Sequence, residues 1–366
     1  MGSQLDKLVN DINKKYKEEI AAKGIRRIDC KRIPFTSTRL NYMLYGGLPR
    51  GKLIEFSGEE NGGKTTTALD ACKNAQKLFV EEWEEELSNC SETRKKYLES
   101  RGPQKVVYAD CENTLDEDWA RTLGVDVDDM YIIKPQTQAA EDIFQMLLDM
   151  METDEVGFVV IDSLGVMLSK QAYEKSMDEK TYGGISMALT LFSKKAELIC
   201  AKTLCTCLGI NQMREDMNSM YGGTTTTGGK AWKHNCALRM QFSKGALFDE
   251  KGNELPRRAE EAAGNKVVVS IIKNKVCKPD RRTGFYTLNY TCGVDDISDL
   301  VEVAIKFDII QKGGSWFTFV DPETGEIITD EEGKDLKIQG QQNVVALLRE
   351  NAVLLNELTD TVMAYM

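Results

Sequence analysis

One run of residues, Gly58-Glu59-Glu60-Asn61-Gly62-Gly63-Lys64-Thr65, fits the pattern G-x-x-x-x-G-K-[ST], and its residue types suit a nucleoside triphosphate. Glycine at 58, 62 and 63 lets backbone N–H groups curl around phosphate oxygens, and a helix that follows adds the positive end of its dipole. Lys64 supplies a mobile positive charge for the β- and γ-phosphates, and the Thr65 hydroxyl is a ligand for Mg²⁺. Glu59, Glu60, Asn61 and Thr66 complete the cofactor-binding stretch. Magnesium needs a second anchor, and the apolar run Gly157-Phe158-Val159-Val160-Ile161 ends in Asp162. Hydrolysis also needs a group that orients and deprotonates water; with the single histidine, His234, far from these positions, the candidates are carboxylates. Glu112, three residues past Val106-Val107-Tyr108-Ala109, and Asp110 beside it are the pair so placed. Gln212, just past the apolar run ending Gly209-Ile210, offers an amide able to sense a γ-phosphate.

Such residues must be carried by strand ends that meet at one edge. Lys52 to Phe56 reads as a short strand, followed by the glycine-rich loop and a helix from about Lys64 to Lys77. Buried-strand runs recur at 105–109, 131–133, 157–161 and 204–210, separated by helical patterns at 140–151 and 185–202. That alternation predicts a parallel α/β sheet, whose carboxyl strand ends line the ligand crevice. Past Lys230 it stops, and 236–242, 266–273 and 284–290 read as consecutive antiparallel strands. From about Ser298 helices surround a hairpin at 316–328, a small α+β domain. At the other end, Leu5, Leu8, Val9, Ile12, Tyr16 and Ile20 recur at helical steps, predicting an amphipathic helix over 4–23. Between Val80 and Gly102 stand seven acids and four bases with Trp83, Leu87 and Tyr97 among them. This reads as an inserted helical excursion on the surface, a solvated face more than a partner-docking site.

Composition narrows the function further. The 366 residues carry 47 Lys+Arg against 58 Asp+Glu, a net charge of -11, which excludes a uniformly basic nucleic-acid coat and makes any DNA contact local. Mean hydropathy is -0.37, no apolar stretch approaches the roughly 18 residues of a membrane helix, and no apolar signal region follows Met1, so the expectation is a cytoplasmic protein with no membrane partner. Ten cysteines form no C-x-x-C pair and read as buried, reduced thiols. His234 reads as structural or solvated, and Lys233 as a loop-anchoring or interface charge.

Taken in order, the four strand ends resemble the bacterial RecA recombinases and their phage counterparts, roughly from Thr36 to Trp316. Leu48-Pro49-Arg50-Gly51-Lys52 is similar to that family's lead-in to the phosphate loop, and Asp110-Cys111-Glu112 to its Asp-x-Glu, which implies Glu112 as the water-activating base. Leu115-Asp116-Glu117-Asp118-Trp119-Ala120 resembles the adenine clamp, with Asp116 and Trp119 at the base and Trp119 where a tyrosine commonly stacks. Asp162-Ser163 matches the Mg²⁺-linked strand end. Asn211-Gln212-Met213-Arg214 and Thr225-Thr226-Thr227-Gly228-Gly229-Lys230-Ala231 are similar to the two ends of the second DNA-binding loop, the most discriminating pair. The amides of Gly228 and Gly229, with Arg214 and Lys230, suit phosphates without reading bases. Tyr182-Gly183-Gly184 resembles the first DNA loop, with Tyr182 and Gly183 at the DNA. Lys273-Asn274-Lys275 matches a lysine pair that the resemblance makes act on a neighbouring subunit's ATP, and the N-terminal helix resembles the element that docks on that neighbour.

The resemblance has departures. Glu215 and Asp216 follow Arg214 where an apolar residue and a lysine are usual, and are expected to turn outward. The run Lys266-Val267-Val268-Val269-Ser270 has valine and serine where relatives place the basic residues of a second-duplex site, for which Lys244, Arg257 and Arg258 are candidate substitutes.

The expected fold is a RecA-like α/β P-loop core with a mainly parallel sheet, an antiparallel extension, an N-terminal helix and a small C-terminal α+β domain. Its expected divisions are 1–35, 36–295 with the insertion at 80–102, and 296–366. The expected function is a DNA-dependent ATPase using ATP and Mg²⁺, which forms a helical filament on single-stranded DNA and pairs it with a homologous double-stranded partner. Single-strand-binding or mediator proteins are further candidate partners. A ring-shaped helicase or processing ATPase, and a nucleotide-switched DNA-binding mediator without strand exchange, are the alternatives.

Overall fold

In the computed structural model the described residues are 4–16, 31–175, 184–215, 224–329 and 333–366. The chain divides into two units, Met1–Lys31 and Arg32–Met366. The first holds α1 (Gln4–Tyr16), with Leu5, Leu8, Val9 and Ile12 at helical steps; the rest of the helix expected up to residue 23 lies outside the described residues.

The second unit opens with β1 (Arg32–Ile33), α2 (Thr38–Leu44) and β2 (Leu48–Pro49), β1 pairing with β2. Then β3 (Leu53–Gly58) leads into α3 (Lys64–Asn89) and α4 (Glu92–Arg101). Next come β4 (Lys105–Asp110), α5 (Glu117–Thr122), β5 (Met130–Ile133), α6 (Ala140–Glu152), β6 (Val156–Asp162), α7 (Lys170–Glu174), α8 (Ile185–Thr203) and β7 (Thr206–Glu215). A short β8 (Thr224–Thr226) folds back on β7, and α9 (Gly229–Asn235) leads to β9 (Leu238–Phe248), β10 (Glu254–Leu255), β11 (Gly264–Asn274), β12 (Thr283–Asn289) and β13 (Gly293–Val294). Last are α10 (Asp296–Lys306), β14 (Ile310–Gly313), β15 (Trp316–Phe319), β16 (Lys337–Gln339), α11 (Gln341–Glu350) and α12 (Ala352–Ala364).

The main sheet runs β13-β12-β11-β9-β3-β7-β6-β4-β5, parallel from β9 to β5 and antiparallel from β9 to β13. Its central strands are apolar on both faces because both are covered, as parallel sheets demand. Ile54, Phe56, Val106, Tyr108, Phe158 and Val160 point to one face and pack on Ala68, Leu69, Cys72 and Ala75 of α3. Leu53, Val107, Ala109, Val159 and Ile161 point to the other and meet Phe144 and Leu147 of α6 and Leu189 and Phe192 of α8. A third cluster, from Leu300, Val303, Ile310, Phe317, Phe319, Val344, Leu348 and Val362, holds the C-terminal region together.

Three expectations need correcting. The helix after the phosphate loop does not stop near Lys77 but continues to Asn89, so the charged insertion is a hairpin of α3 and α4 continuous with the core. Arg50 anchors it: its side chain is 2% exposed, pairs with Glu82, donates to Gln104 Oε1 (2.6 Å) and lies over the Phe79 ring. The strand expected at 236–242 pairs parallel with β3 and antiparallel with β11, so it closes the parallel sheet as well as opening the extension. In the C-terminal region the strands paired with β15 are β14 and β16, and the expected return arm near residue 328 joins it through the isolated bridge Val320 to Ile327 and the Ile328 N–H, which donates to the Phe319 carbonyl (2.9 Å), with a second isolated bridge from Thr329 to Asp335. The nine described cysteines are unpaired, five of them buried, and burial pushes the Cys72, Cys205, Cys207 and Cys236 thiols well up.

Candidate active site

Register brings the motifs together before any side chain is considered. Gly58 at the end of β3 stands opposite Gln212 of β7, and Asp110 at the end of β4 stands opposite Asp162 of β6. Two positions of the loop have no room for a side chain. A Cβ on Gly58 would lie 2.2 Å from the Phe242 carbonyl oxygen, and one on Gly63 would lie 2.9 Å from a Val267 methyl. Gly63 has φ 92° and caps α3 without a side chain, a left-handed conformation that glycine adopts at little cost. The loop is thus a backbone cradle at a helix N-terminus, the arrangement that receives phosphate.

Lys64 is 8% exposed and curls back so that Nζ donates to the carbonyls of Gly58 (3.2 Å) and Glu59 (2.6 Å). Burial lowers its pKa, while Asp162, Glu112, Glu60 and Glu59 push it back up. Thr65 Oγ1 donates to Asp162 Oδ2 (2.8 Å), and Tyr108, buried in β4, donates to the same oxygen (2.7 Å). Burial raises the Asp162 pKa, and those two hydrogen bonds oppose the rise. Two hard oxygen donors, the Thr65 hydroxyl and the Asp162 carboxylate, therefore stand within hydrogen-bond distance beside the cradle, the donor set that suits Mg²⁺ sharing its shell with phosphate and water.

Glu112 is pinned by its backbone, since the N–H groups of Cys111 (2.6 Å) and Glu112 (3.3 Å) both donate to the Asp162 carbonyl. Its Oε1 accepts the Ser163 hydroxyl and Gln212 Nε2, the latter at 3.1 Å. One oxygen is held by donors from two strand ends, which fixes the direction of the other. Asp110 does something different from the expectation. It is 2% exposed, and its two oxygens accept the N–H groups of Thr114 and Leu115, both at 3.1 Å, so it shapes the turn that delivers Glu112. Asp116 caps α5 by accepting the Trp119 N–H (2.9 Å), and Trp119 is half-buried against the first core cluster.

Beyond Gln212, β7 pairs with β8, placing Arg214 opposite Thr225. Arg214 Nη2 donates to the Gly165 carbonyl (3.0 Å), and Lys233 Nζ to Thr225 Oγ1 (2.6 Å). Gly228 caps α9 at φ 101°, and Gly229 and Lys230 are exposed on its first turn. Tyr182, Gly183 and Asp216, and the side chain of Glu215, lie outside the described residues. Lys273 and Lys275 stay away from the phosphate loop of their own chain. Both donate to the His234 carbonyl (2.7 and 2.9 Å) at the end of α9, and Lys273 also to that of Lys233 (2.6 Å). Asn274 is in register with Leu238, and Leu238 with Ile54, four residues before Gly58, so the pair sits about 13 Å along the sheet at roughly 3.3 Å per residue. Burial and the neighbouring Lys275 lower the Lys273 pKa.

Sequence reasoning did not single out Tyr108, the buried Glu55, or the bond that Ser163 makes to Glu112. A charged residue inside the otherwise fully buried strand Leu53–Gly58 was the signal available for Glu55. No such signal marks Tyr108, since tyrosine is common in strands.

The family model for the RecA N-terminal domain matches residues 98–295, and that for the RecA C-terminal domain matches 298–366. Protein RecA of Chlorobaculum tepidum is 30% identical over 328 residues, covering 89% of this chain and 81% of that protein. Protein RecA of Gloeobacter violaceus is 28% identical over 333 residues, 91% and 77% respectively, and that of Ruminococcus albus is 29% identical over 303 residues, 82% and 67%. With a phosphate cradle, a carboxylate pinned beside it and these matches over most of its length, the chain belongs to the RecA family of recombinases, which are DNA-dependent ATPases.

Proposed function

We propose that this chain assembles on single-stranded DNA with ATP and Mg²⁺ held between neighbouring subunits, and pairs the coated strand with a homologous duplex. Hydrolysis resets DNA affinity. In this reading the cradle from Gly58 to Thr66 and Lys64 hold the phosphates, Asp116 and Trp119 flank the adenine, and Thr65 and Asp162 anchor the ion. Bound Mg²⁺ neutralises charge on the phosphate oxygens. Glu112 takes the proton from water, Ser163 and Gln212 keep its carboxylate aimed, and Lys273 and Lys275 serve the site of the adjacent subunit. Arg214, Gly228, Gly229 and Lys230 meet the DNA backbone, and Tyr182 and Gly183 meet the strand as well, Tyr182 between base steps. The working divisions are 1–35 for subunit docking, 36–295 for the core and 296–366 for the C-terminal domain. The site of action is the cytoplasm.

The observation that carries this reading is the hydrogen bond from Gln212 to Glu112. It joins the group that activates water to the strand running directly into the DNA-facing segment, so nucleotide state and DNA affinity can be coupled in both directions. The test is ATP turnover titrated with single-stranded DNA. Strong stimulation is expected; turnover indifferent to DNA overturns the proposal in favour of a processing ATPase.

A further inference from the structure

Glu55 is a fully buried carboxylate in the middle of β3, three residues before Gly58, and it gathers donors from three other elements. Its Oε1 accepts Asn211 Nδ2 (3.0 Å) from β7 and Trp232 Nε1 (3.1 Å) from α9, and its Oε2 accepts Arg239 Nε from β9. Each donor neighbours a part of the proposed machinery. Asn211 precedes Gln212 and also donates to the Thr227 carbonyl (2.8 Å), one residue before Gly228. Trp232 sits one turn into the helix that Gly228 caps. Arg239 stands opposite Lys273 in the β9–β11 register, and its Nη2 reaches Thr226 Oγ1 (3.5 Å).

Four buried side-chain polar atoms among the described residues have no hydrogen-bond partner, and two of them, Asn211 Oδ1 and Thr227 Oγ1, belong to this one network. An unpaired buried polar atom is costly, so two in one network call for an explanation, and a second arrangement of the same segment that pairs them supplies one. A fully desolvated carboxylate, by contrast, holds its donors strongly. The geometry therefore combines a fixed hub with a strap, residues 224–227, that is only partly satisfied against it.

We propose that Glu55 is a positioning residue that couples the nucleotide site to the DNA-facing segment. Through Asn211 it sets the register of Gln212 against residues 226–229, and through Arg239 it ties the same segment to the strand bearing Lys273. It touches neither nucleotide nor DNA in this scheme. The inference rests on the nucleotide and DNA reading above.

The test uses the full chain and a labelled single-stranded oligonucleotide, with apparent Kd measured without nucleotide and with a non-hydrolysable ATP analogue. The ratio of the two Kd values is the coupling. Three variants are compared: Glu55→Gln, which turns one acceptor oxygen into a donor facing either Arg239 or the Asn211 and Trp232 donors and removes the charge that Arg239 pairs with; Trp232→Phe, which removes the indole N–H and keeps an aromatic ring in the buried site; and Glu55→Gln with Arg239→Gln, which removes the ion pair without stranding a charge. The variants are expected to lower the ratio roughly fivefold or more, on the scale of ordinary coupling between sites. Analogue affinity and DNA-independent turnover should stay within about twofold of the original, the scale of a residue outside the chemistry. A purely structural role would lower the melting temperature and leave the ratio intact, and that result overturns the inference. If Glu55→Gln does not fold, Trp232→Phe decides alone. A ratio near one in the unmodified protein sinks the proposed function itself and this inference with it, whereas a large ratio kept by every folded variant sinks only the role of Glu55.

Discussion

Glu112 carries two hydrogen bonds on one oxygen, and that asymmetry makes a sharp test possible. In Glu112→Gln the side chain keeps its length and can still accept from Ser163 and Gln212, but it can no longer take a proton. ATP turnover should fall by about a hundredfold or more, the usual loss for a general base. ATP-dependent filaments on single-stranded DNA should persist under the electron microscope. Rapid phosphate release by this variant would remove Glu112 from the base role. The residues of this site were unevenly legible in the sequence. The phosphate cradle could be read outright because its glycines, lysine and threonine are contiguous and each has a distinct job. Glu112 and Asp110 differ by two positions and share one chemistry, so residue type does not separate them, whereas the hydrogen bonds do: Asp110 spends both oxygens on the N–H groups of Thr114 and Leu115, and the described bonds of the Glu112 carboxylate, from Ser163 and Gln212, fall on one oxygen. Ser163 was visible only as a neighbour of Asp162, because a serine hydroxyl acquires a role from what it faces.

At the scale of elements, the strands were legible because both faces of the sheet are covered, which writes them as apolar runs. The length of α3 was not. Its last fully buried residue is Phe79, yet no glycine or proline interrupts 64–89 and Trp83 and Leu87 stay half-buried at the next helical steps, so nothing local stops the helix near Lys77 and a tertiary contact with Arg50 secures the rest. Arg50→Ala should cost about 3 kcal/mol in chemical denaturation, since it strips a buried guanidinium from Glu82, Gln104 and the Phe79 ring at once. A loss below about 0.5 kcal/mol, the range of an ordinary surface substitution, would mean that the α3–α4 hairpin needs no such anchor. The junction of α2 and α10 makes a second element-scale prediction. Asp299 of α10 accepts the Ser37 hydroxyl and the Arg39 N–H (2.9 Å), and burial pushes its carboxyl up to about 6. The folded protein thus binds this proton more tightly than the unfolded chain, so its contribution to stability is complete below about pH 4 and is lost as pH rises through 6. The change is on the order of 3 kcal/mol at about 1.4 kcal/mol per pH unit. In Asp299→Asn the stability curve between pH 4 and 6 should flatten relative to the unmodified protein; an unchanged slope in urea titrations across that window would place the titrating group elsewhere.

The whole molecule poses the question of what completes its site. Within one chain Lys273 and Lys275 are held on the end of α9, at the opposite end of β3 from the phosphate loop, and no side-chain rotation spans that distance. A head-to-tail assembly makes each interface from two different faces, so a phosphate loop and a lysine pair drawn from different chains can meet there. This predicts complementation between two inactive proteins. Lys64→Ala should lack turnover through its own loop yet still present both lysines, whereas the double variant Lys273→Ala, Lys275→Ala should keep an intact loop and lack turnover for want of a donor. Mixed in equal amounts on single-stranded DNA, about a quarter of the interfaces in a random head-to-tail array join an intact loop to an intact lysine pair, and turnover should recover to roughly that share. The two proteins measured apart supply the baseline, and a nucleotide-binding measurement on the double variant separates loss of catalysis from loss of the cradle. Full activity in the double variant alone would show that the lysines are dispensable. Mixed filaments that form normally but gain no turnover would mean that each chain must supply loop and lysines together, and the shared site would have to be abandoned.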